Sequence, residues 1–310
     1  MLRKIVKLLK KPRILLLHIL KLKMCRVFPD HLYLKVKYQL TIRRKLNLNY
    51  PSTFNEKLQW LKLYDRKPMY TQLVDKYEVR EYVKKTIGDE YLIPLLGVYD
   101  NFDDIDFQKL PNQFVLKCTH DSGGVVICKN KNDFDQESAR KKINKCLKHN
   151  YFYLGREWPY KDIRPRIICE KYMEDESSKE LRDYKYMCFN GKVKCSFVVL
   201  NRNSTTGINV DFYDLDWKLM PFERHYPNSG INISKPQNYQ KMIEFAERLS
   251  KDIPFLRVDF YEVNGQLYFG ELTFYPGSGF EEFTPESYDE LLGRWIELPN
   301  KNLKVGGLSD

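Results

Sequence analysis

Two carboxylates and an arginine are the first residues whose types and spacing could do chemistry. Arg257-Val258-Asp259 and Glu271-Leu272-Thr273 occupy the two arms of a hairpin closed by Asn264-Gly265. Side chains alternate along a strand, so Arg257 and Asp259 share one face of the first arm, and Glu271 and Thr273 share one face of the second. Counting outward from the turn brings Asp259 and Glu271 near each other across the ladder. Two neighbouring carboxylates in a strand-rich core repel unless a cation stands between them, and their hard oxygens suit Mg²⁺. A solvent-facing acid pair balanced by Arg257 would leave the same pattern. Against it, Phe255, Leu256, Phe260, Tyr268 and Phe269 flank the pair and point to a buried setting.

Lys117 is the second such residue. It ends the apolar run FVLKC, just before Thr119-His120-Asp121-Ser122-Gly123-Gly124. A lysine there is costly to bury without a negative partner. The turn after it offers small residues and free backbone N–H groups that can cradle phosphate oxygens. The order is lysine first and glycines after, which is not a Walker A loop. A lysine whose tip reaches solvent fits the same spacing. Glu170-Lys171-Tyr172-Met173 leaves a buried strand and can present backbone N–H and C=O to a heterocycle edge. Pro276-Gly277-Ser278-Gly279 permits close backbone approach by a ligand.

The elements that must position these groups are legible as strands, hairpins and helices. FVLKC (114–118) and VVICK (125–129) flank the glycine loop, and RIICE (166–170) is a buried strand. DYKYMCF and KVKCSFVVL flank Asn190-Gly191, and FLRVDFYEV and QLYFGELTF flank Asn264-Gly265, two hairpin signals. Thr53 and Glu56 have capping-box spacing at the head of a helix over 53–63. Further helices are expected over 71–85, 136–148, 238–251 and 285–297. Mixed helices and repeated hairpins make the fold class α+β with antiparallel sheets, not a doubly wound parallel fold.

The chain has 310 residues and a net charge of +11, unevenly placed. Residues 1–50 hold 14 Lys and Arg against one acid, Asp30, and the other 260 residues carry 38 Lys and Arg against 40 acids. A basic arm therefore precedes a near-neutral body, which argues against a nucleic-acid-coating surface. Within the arm, Leu2, Ile5, Leu8 and Leu9 alternate with lysines at helical spacing, a pattern suited to an anionic lipid surface, with Pro12 as a break or kink. A helix packed on its own body with a solvated lysine face is the plainer alternative. The run ILLLHIL (14–20) is far short of the roughly 20 residues a spanning helix needs, and no cleaved signal peptide is expected. The seven cysteines lack metal-ligand spacing and sit mostly in apolar runs, as small buried side chains of a reducing compartment would.

In order, these segments resemble the ATP-grasp superfamily. RVDFY, a hairpin and ELTF-x-PGSG resemble the corresponding segment of D-alanine–D-alanine ligases. FVLKC with its loop resembles the phosphate-covering hairpin, EKYM the adenine hinge, and Asp75-Lys76 an early Asp-Lys of carboxylase members. A closer match runs over about 50–300: PSTFNEKLQWLKLYD, VDKYEVREYV, LPNQFVLKC, DYKYMCFNGK and FGELTFYPGSGF are similar to the TupA-like ATP-grasp family. Its members are associated with teichuronopeptide, capsular and other surface polysaccharide biosynthesis.

The resemblance implies two α+β subdomains with antiparallel sheets holding ATP between them. It implies a basic helical arm over 1–50, an ATP-grasp domain over 51–300 (lid about 111–170, core and metal site about 171–300) and a tail over 301–310. Lys117 and Lys76 would hold ATP phosphates under the Ser122-Gly123-Gly124 loop. Glu170, Lys171, Tyr172 and Met173 would form the adenine hinge, Asp183 would meet the ribose and Lys185 the phosphates. Asp259 and Glu271 would hold Mg²⁺, with Thr273 where the wider superfamily has a metal-binding asparagine. The family itself reads ELTF there. Arg257, with Lys117, would serve catalysis by steadying an acyl phosphate. The implied reaction is an ATP-dependent, ADP-forming ligation of a carboxylate-bearing sugar or amino acid to an amine, in the cytoplasm or on the inner membrane face, with residues 1–50 against anionic lipid or acidic glycan and no nucleic-acid partner. The rival reading is a glycosyltransferase using a nucleotide sugar, for which Asp104-Ile105-Asp106 and Asp214-Leu215-Asp216 supply D-x-D strings. His120, in the loop, is a candidate base, though a solvent-exposed or phosphate-side role is the more ordinary one for a loop histidine.

Overall fold

The computed structural model describes residues 12–176, 181–201 and 207–300. The expected amphipathic helix over residues 2–9 lies outside them. Pro12 opens the first described helix, α1 (Pro12–Ile19), where its missing N–H costs nothing. Helix α2 (Asp30–Thr41) follows. Helix α3 (Phe54–Tyr64) has the expected capping box, Thr53 Oγ1 accepting from Glu56 N while the Glu56 carboxylate accepts from Thr53 N. The single helix expected over 71–85 is two, α4 (Met69–Val74) and α5 (Val79–Thr86). Asp75 interrupts it, because its Oδ1 accepts from the N–H groups of Tyr77 and Glu78 and closes a turn of its own. Helices α6 (Gln136–Leu147), the short α7 (Phe152–Gly155), α8 (Tyr239–Leu249) and α9 (Ser287–Trp295) complete the set among the described residues.

The strands form two antiparallel sheets and a small pair, β8 (Glu223–Arg224) with β11 (Phe283–Thr284). The four-stranded sheet runs β1 (Leu95–Tyr99), β4 (Ile167–Lys171), β2 (Phe114–Cys118), β3 (Val125–Cys128). The five-stranded sheet runs β10 (Gln266–Thr273), β9 (Phe255–Val263), β5 (Asp183–Phe189), β6 (Lys192–Leu200), β7 (Asn209–Tyr213). Both Asn-Gly turns are hairpins as expected. Asn190 and Gly191 (φ 50° and 77°), like Asn264 and Gly265 (φ 50° and 75°), are left-handed in succession, which matches the twist of the strands they join.

Each sheet has its own core. The larger packs α3, α8 and α9 against the five-stranded sheet, with Phe54, Phe189 and Phe255 in mutual edge contact. Tyr33, Leu34 and Tyr38 of α2, and Leu46 and Leu48, belong to it too. The smaller core packs α6 on the four-stranded sheet through Phe114, Leu116, Cys118, Ile143 and Ile167. All seven cysteines are free thiols, and six are buried. No helix among the described residues is long and apolar enough to cross a membrane.

Candidate active site

A cleft of about 320 Å³ is lined by both sheets and by the segment 76–93. It gathers Lys76, Lys117, Ser122, Glu170, Asp183, Lys185, Arg257 and Glu271 from eight positions that the sequence singled out. It also draws in groups the sequence reading left aside: Arg80, Leu92, Ile93, Ile168, Tyr261, Phe269 and Gly270.

The carboxylate corner depends on one irregular residue. A regular ladder leaving the Asn264-Gly265 turn would set position 270 opposite Asp259 and turn Glu271 to the opposite face. The register instead shifts between Phe269 and Glu271, so that Glu271 faces Asp259 and Thr273 faces Arg257. Such a bulge adds one residue to one strand and reverses which face the following side chains take. Glycine occupies it because a Cβ at 270 would lie 3.0 Å from the Asp259 carbonyl oxygen and 3.2 Å from the Tyr261 ring. A lone glycine inside a strand pattern is the signal that could have announced it.

Arg257 stands between the two acids. Its Nε and Nη2 donate to Asp259 Oδ1 and Oδ2, both at 2.7 Å, and Nη2 also donates to Glu271 Oε1 at 2.6 Å. Lys185, opposite Asp259 on β5, donates to Asp259 Oδ2 and pairs with Asp183 at 2.7 Å. Burial pushes the Asp259 carboxyl up, to about 6, against the pull of Arg257 and Lys185. Burial also opposes ionisation of Glu271, but Arg257, Lys185 and Lys76 outweigh it and hold that carboxyl at about 2. Asp259 is 1% exposed, whereas the Glu271 side chain is 39% exposed and turned to the cleft. Thr273 Oγ1 lies 3.4 Å from Glu271 Oε1.

The opposite wall is built around Glu170. Its carboxylate pairs with Lys117 at 2.7 Å and with Arg80 at 3.2 Å. The main chain of Glu170 is committed to β1 and β2 on its two sides, so its side chain, not its backbone, is what it offers the cleft. Lys76 donates to the Asp121 carbonyl oxygen, tying α5's approach to the loop. Burial lowers the pKa of Lys76, and Glu271 and Asp121 resist that. Lys76 precedes α5, so no helical spacing links it to Arg80 and no sequence signal flags Arg80.

Other expected residues lie beside the cleft and do not line it. Gly124 shapes the loop from behind: its N–H donates to Asp121 Oδ1 at 2.9 Å, and a Cβ there would strike the Cys118 sulfur at 2.6 Å. Gly123 faces open space. Lys171 donates its N–H to Pro94 O at 3.0 Å, and Tyr172 bonds Glu174, at and just past the end of β4. His120 is buried and not solvent-exposed, with Nε2 near the carbonyl oxygens of Cys146 (3.2 Å) and His149 (3.1 Å) at the end of α6. The D-x-D strings serve their own turns: Asp104 accepts from Asn101 N, and Asp214 from the N–H groups of Asp216 and Lys218.

The Pro276–Gly279 turn carries three successive left-handed residues, at φ 59°, 52° and 61° for Gly277, Ser278 and Gly279. It is fixed from below by buried groups no sequence signal marked. Lys62, fully buried, donates to Ser278 O (2.7 Å), Gly155 O (2.8 Å) and Gln59 Oε1 (2.9 Å). Gln59 Nε2 donates to Gly279 O at 2.7 Å, and Arg224 Nη2 to Pro276 O at 2.7 Å. Glu157 accepts from Ser278 Oγ. Burial lowers the pKa of Lys62, to about 7, with Glu157 opposing; three acceptors at bonding distance are what a full ammonium requires.

Two carboxylates and a hydroxyl are the hard oxygen donors magnesium takes, and it commonly uses one or two carboxylates with substrate phosphates completing its shell. Asp259, Glu271 and Thr273 fit that ion by donor chemistry. Among the described residues no three acidic, histidine or cysteine side chains converge for a metal, so the remaining ligands would be substrate oxygens.

Two antiparallel sheets thus line one cleft, with cations on both walls and a carboxylate corner. The chain belongs to the TupA-like ATPgrasp family, whose model matches residues 56–297. Membership gives it the ATP-grasp fold. Solved structures similar to it include D-alanine–D-alanine ligase from Helicobacter pylori, 15% identical with a TM-score of 0.42, covering 79% of this chain and 70% of that one. An ADP complex of N5-carboxyaminoimidazole ribonucleotide synthetase is 17% identical with a TM-score of 0.41, covering 77% of this chain and 56% of that one. An ATP-grasp ligase complexed with a precursor variant, Mg and ADP is 11% identical with a TM-score of 0.39; the match covers 71% of this chain and 57% of that ligase. The family match carries the assignment, not these distant likenesses. Among curated proteins none matches the sequence at a significant level.

Proposed function

We propose that this protein joins a carboxylate to an amine at the expense of ATP, in the assembly of a surface or capsular polysaccharide. The observation that carries the reading is the convergence of five cations, Lys76, Arg80, Lys117, Lys185 and Arg257, on one cleft beside the paired acids Asp259 and Glu271. Phosphoryl transfer has little covalent chemistry for a protein to do beyond positioning and charge stabilisation, and this cleft supplies both. Lys117, Lys76 and Lys185 would hold phosphate oxygens, with Ser122 and its loop above them. Leu92, Ile93, Ile168 and Phe269 offer an apolar end for a base, bordered by Lys171, Tyr172 and Met173, with Asp183 placed for a ribose hydroxyl. Bound Mg²⁺ would supply charge neutralisation at Asp259 and Glu271.

In the reaction, a substrate carboxylate oxygen attacks the γ-phosphorus and ADP leaves. The acyl phosphate that results meets the amine, whose nitrogen attacks the carbonyl carbon; phosphate departs and the nitrogen gives up a proton. Arg257 would steady the oxyanion formed in between. The family's association with polysaccharide assembly supports a uronic acid or similar sugar acid as the carboxylate and a cytoplasmic setting.

The test is product release. With ATP, Mg²⁺ and pools of uronic acids and amines, ADP and phosphate are expected only when both substrates are present. Release of UDP from a nucleotide sugar without ATP consumption would overturn the ligase reading in favour of a glycosyltransferase.

A further inference from the structure

We propose that the face formed by residues 14–36 docks the protein on an anionic lipid surface. Of the 19 large apolar side chains exposed among the described residues, nine fall in this short stretch. Val27 is 83% exposed, Met24 71%, Leu22 50%, Phe28 49%, and Leu32 and Val36 48% each. Scattered surface apolar residues need no explanation, but a concentration of this kind marks an interaction surface. Leu32 and Val36 are four residues apart on α2, which sets them in one stripe, and Phe28 lies just before the helix begins.

The face is held rigidly in this exposed position. Arg156, 2% exposed, donates to Cys25 O at 2.9 Å and lies over the Tyr33 ring at 4.4 Å. Cys25, Tyr33 and Leu34 anchor the same stretch inward. A braced apolar face kept in water is costly, roughly 25 cal/mol for each Å² exposed.

Charge selects the occupant. Exposed Lys21, Lys23 and Lys35 alternate with the apolar residues. The only acid in residues 12–41, Asp30, is turned inward, bonded to Arg66 at 2.9 Å and facing Arg156 at 3.6 Å. Cations interleaved with apolar side chains suit the boundary of an anionic bilayer, where headgroups meet the first and acyl chains the second. An acidic glycan would satisfy the lysines and leave Met24, Val27 and Phe28 in water. A second copy would bring like charge against like. The proposal rests on residues 14–36 and does not depend on the reaction catalysed.

The test is vesicle flotation of the full chain with phosphatidylcholine vesicles, with and without phosphatidylglycerol. Binding is expected only with the anionic lipid and should weaken as salt rises from about 0.1 M to about 0.5 M. The triple variant Met24→Asp, Val27→Asp, Phe28→Asp should lose at least about tenfold in partitioning, with its melting temperature unchanged because all three side chains face solvent. Amide exchange on the unmodified chain reads the same face without any substitution, and slowing across residues 20–36 on adding anionic vesicles is expected. Equal binding of the triple variant and the parent, no binding of the parent to anionic vesicles, or a dimer that the triple variant dissolves would each overturn the proposal.

Discussion

Replacing Lys62 with methionine isolates the support beneath the Pro276–Gly279 turn. Methionine nearly matches the lysine in length, so packing against the Phe280 ring, 4.7 Å from Nζ, is kept while the charge and three donors go. Ser278 O retains Gln59 as a donor at 3.1 Å, but Gly155 O and Gln59 Oε1 lose the bonds described above. Two stranded buried acceptors cost about 1–3 kcal/mol each. Glu157 also loses a cation that helps keep it ionised in a buried position. Relief from desolvating the ammonium offsets part of this, leaving about 3–5 kcal/mol, the range for removing one partner of a buried charged pair. For a chain of this size, where about 1 kcal/mol is worth about 1.5 °C, that is a fall in melting temperature of about 5–8 °C. Scanning calorimetry reads it directly. The double variant Lys62→Met, Glu157→Gln should recover part of the loss, because the stranded charge is then gone. A melting temperature within about 2 °C of the parent for the single variant would refute the reasoning. So would a double variant whose loss equals the sum of the two singles.

Three further outcomes follow from the cleft. Glu271→Gln should keep the melting temperature within a few degrees and cut ATP turnover at least about 100-fold, since an amide cannot replace a carboxylate as a hard anionic ligand; coupled ADP release measures it, and activity within tenfold of the parent would remove Glu271 from the metal corner. Arg80→Ala should raise the KM for ATP about tenfold, the worth of about one charge-assisted hydrogen bond, with kcat changed less, because Arg80 pairs with Glu170 and not with the Asp259–Glu271 corner; steady-state kinetics against ATP decides. Gly270→Val should lower kcat more than stability, since its Cβ would press on the Asp259 carbonyl and shift Glu271; parallel calorimetry and kinetics would show otherwise if turnover were untouched.

Much of the framework was legible because local rules dictated it. Asn190-Gly191 and Asn264-Gly265 fixed two hairpins, and Thr53 with Glu56 fixed the start of α3, without help from distant contacts. Lys117 and the acid pair were visible because charged residues inside apolar strands need a reason. What stayed hidden depends on long-range packing. Lys62 reads as an ordinary helix lysine until Gly155 and Ser278, 93 and 216 residues away, bring their carbonyls to it. Arg80 gains its place only when α5 meets β4. The division of 71–85 into two helices turned on Asp75 competing for backbone N–H groups, which periodicity alone does not register.

The cleft carries its own counter-ions. Arg80 and Lys117 share Glu170, Lys185 has Asp183 and Asp259, and Arg257 has Asp259 and Glu271. A polyphosphate arriving there trades places with protein carboxylates, where an unpaired basic groove would shed condensed salt ions instead. Nucleotide affinity should therefore change little with ionic strength, and the cations need not wait for a ligand to be neutralised. Among the described residues the lysines of the 14–36 face have no such internal partners, so one molecule would keep its grip on nucleotide through a rise in salt that strips it from a charged surface.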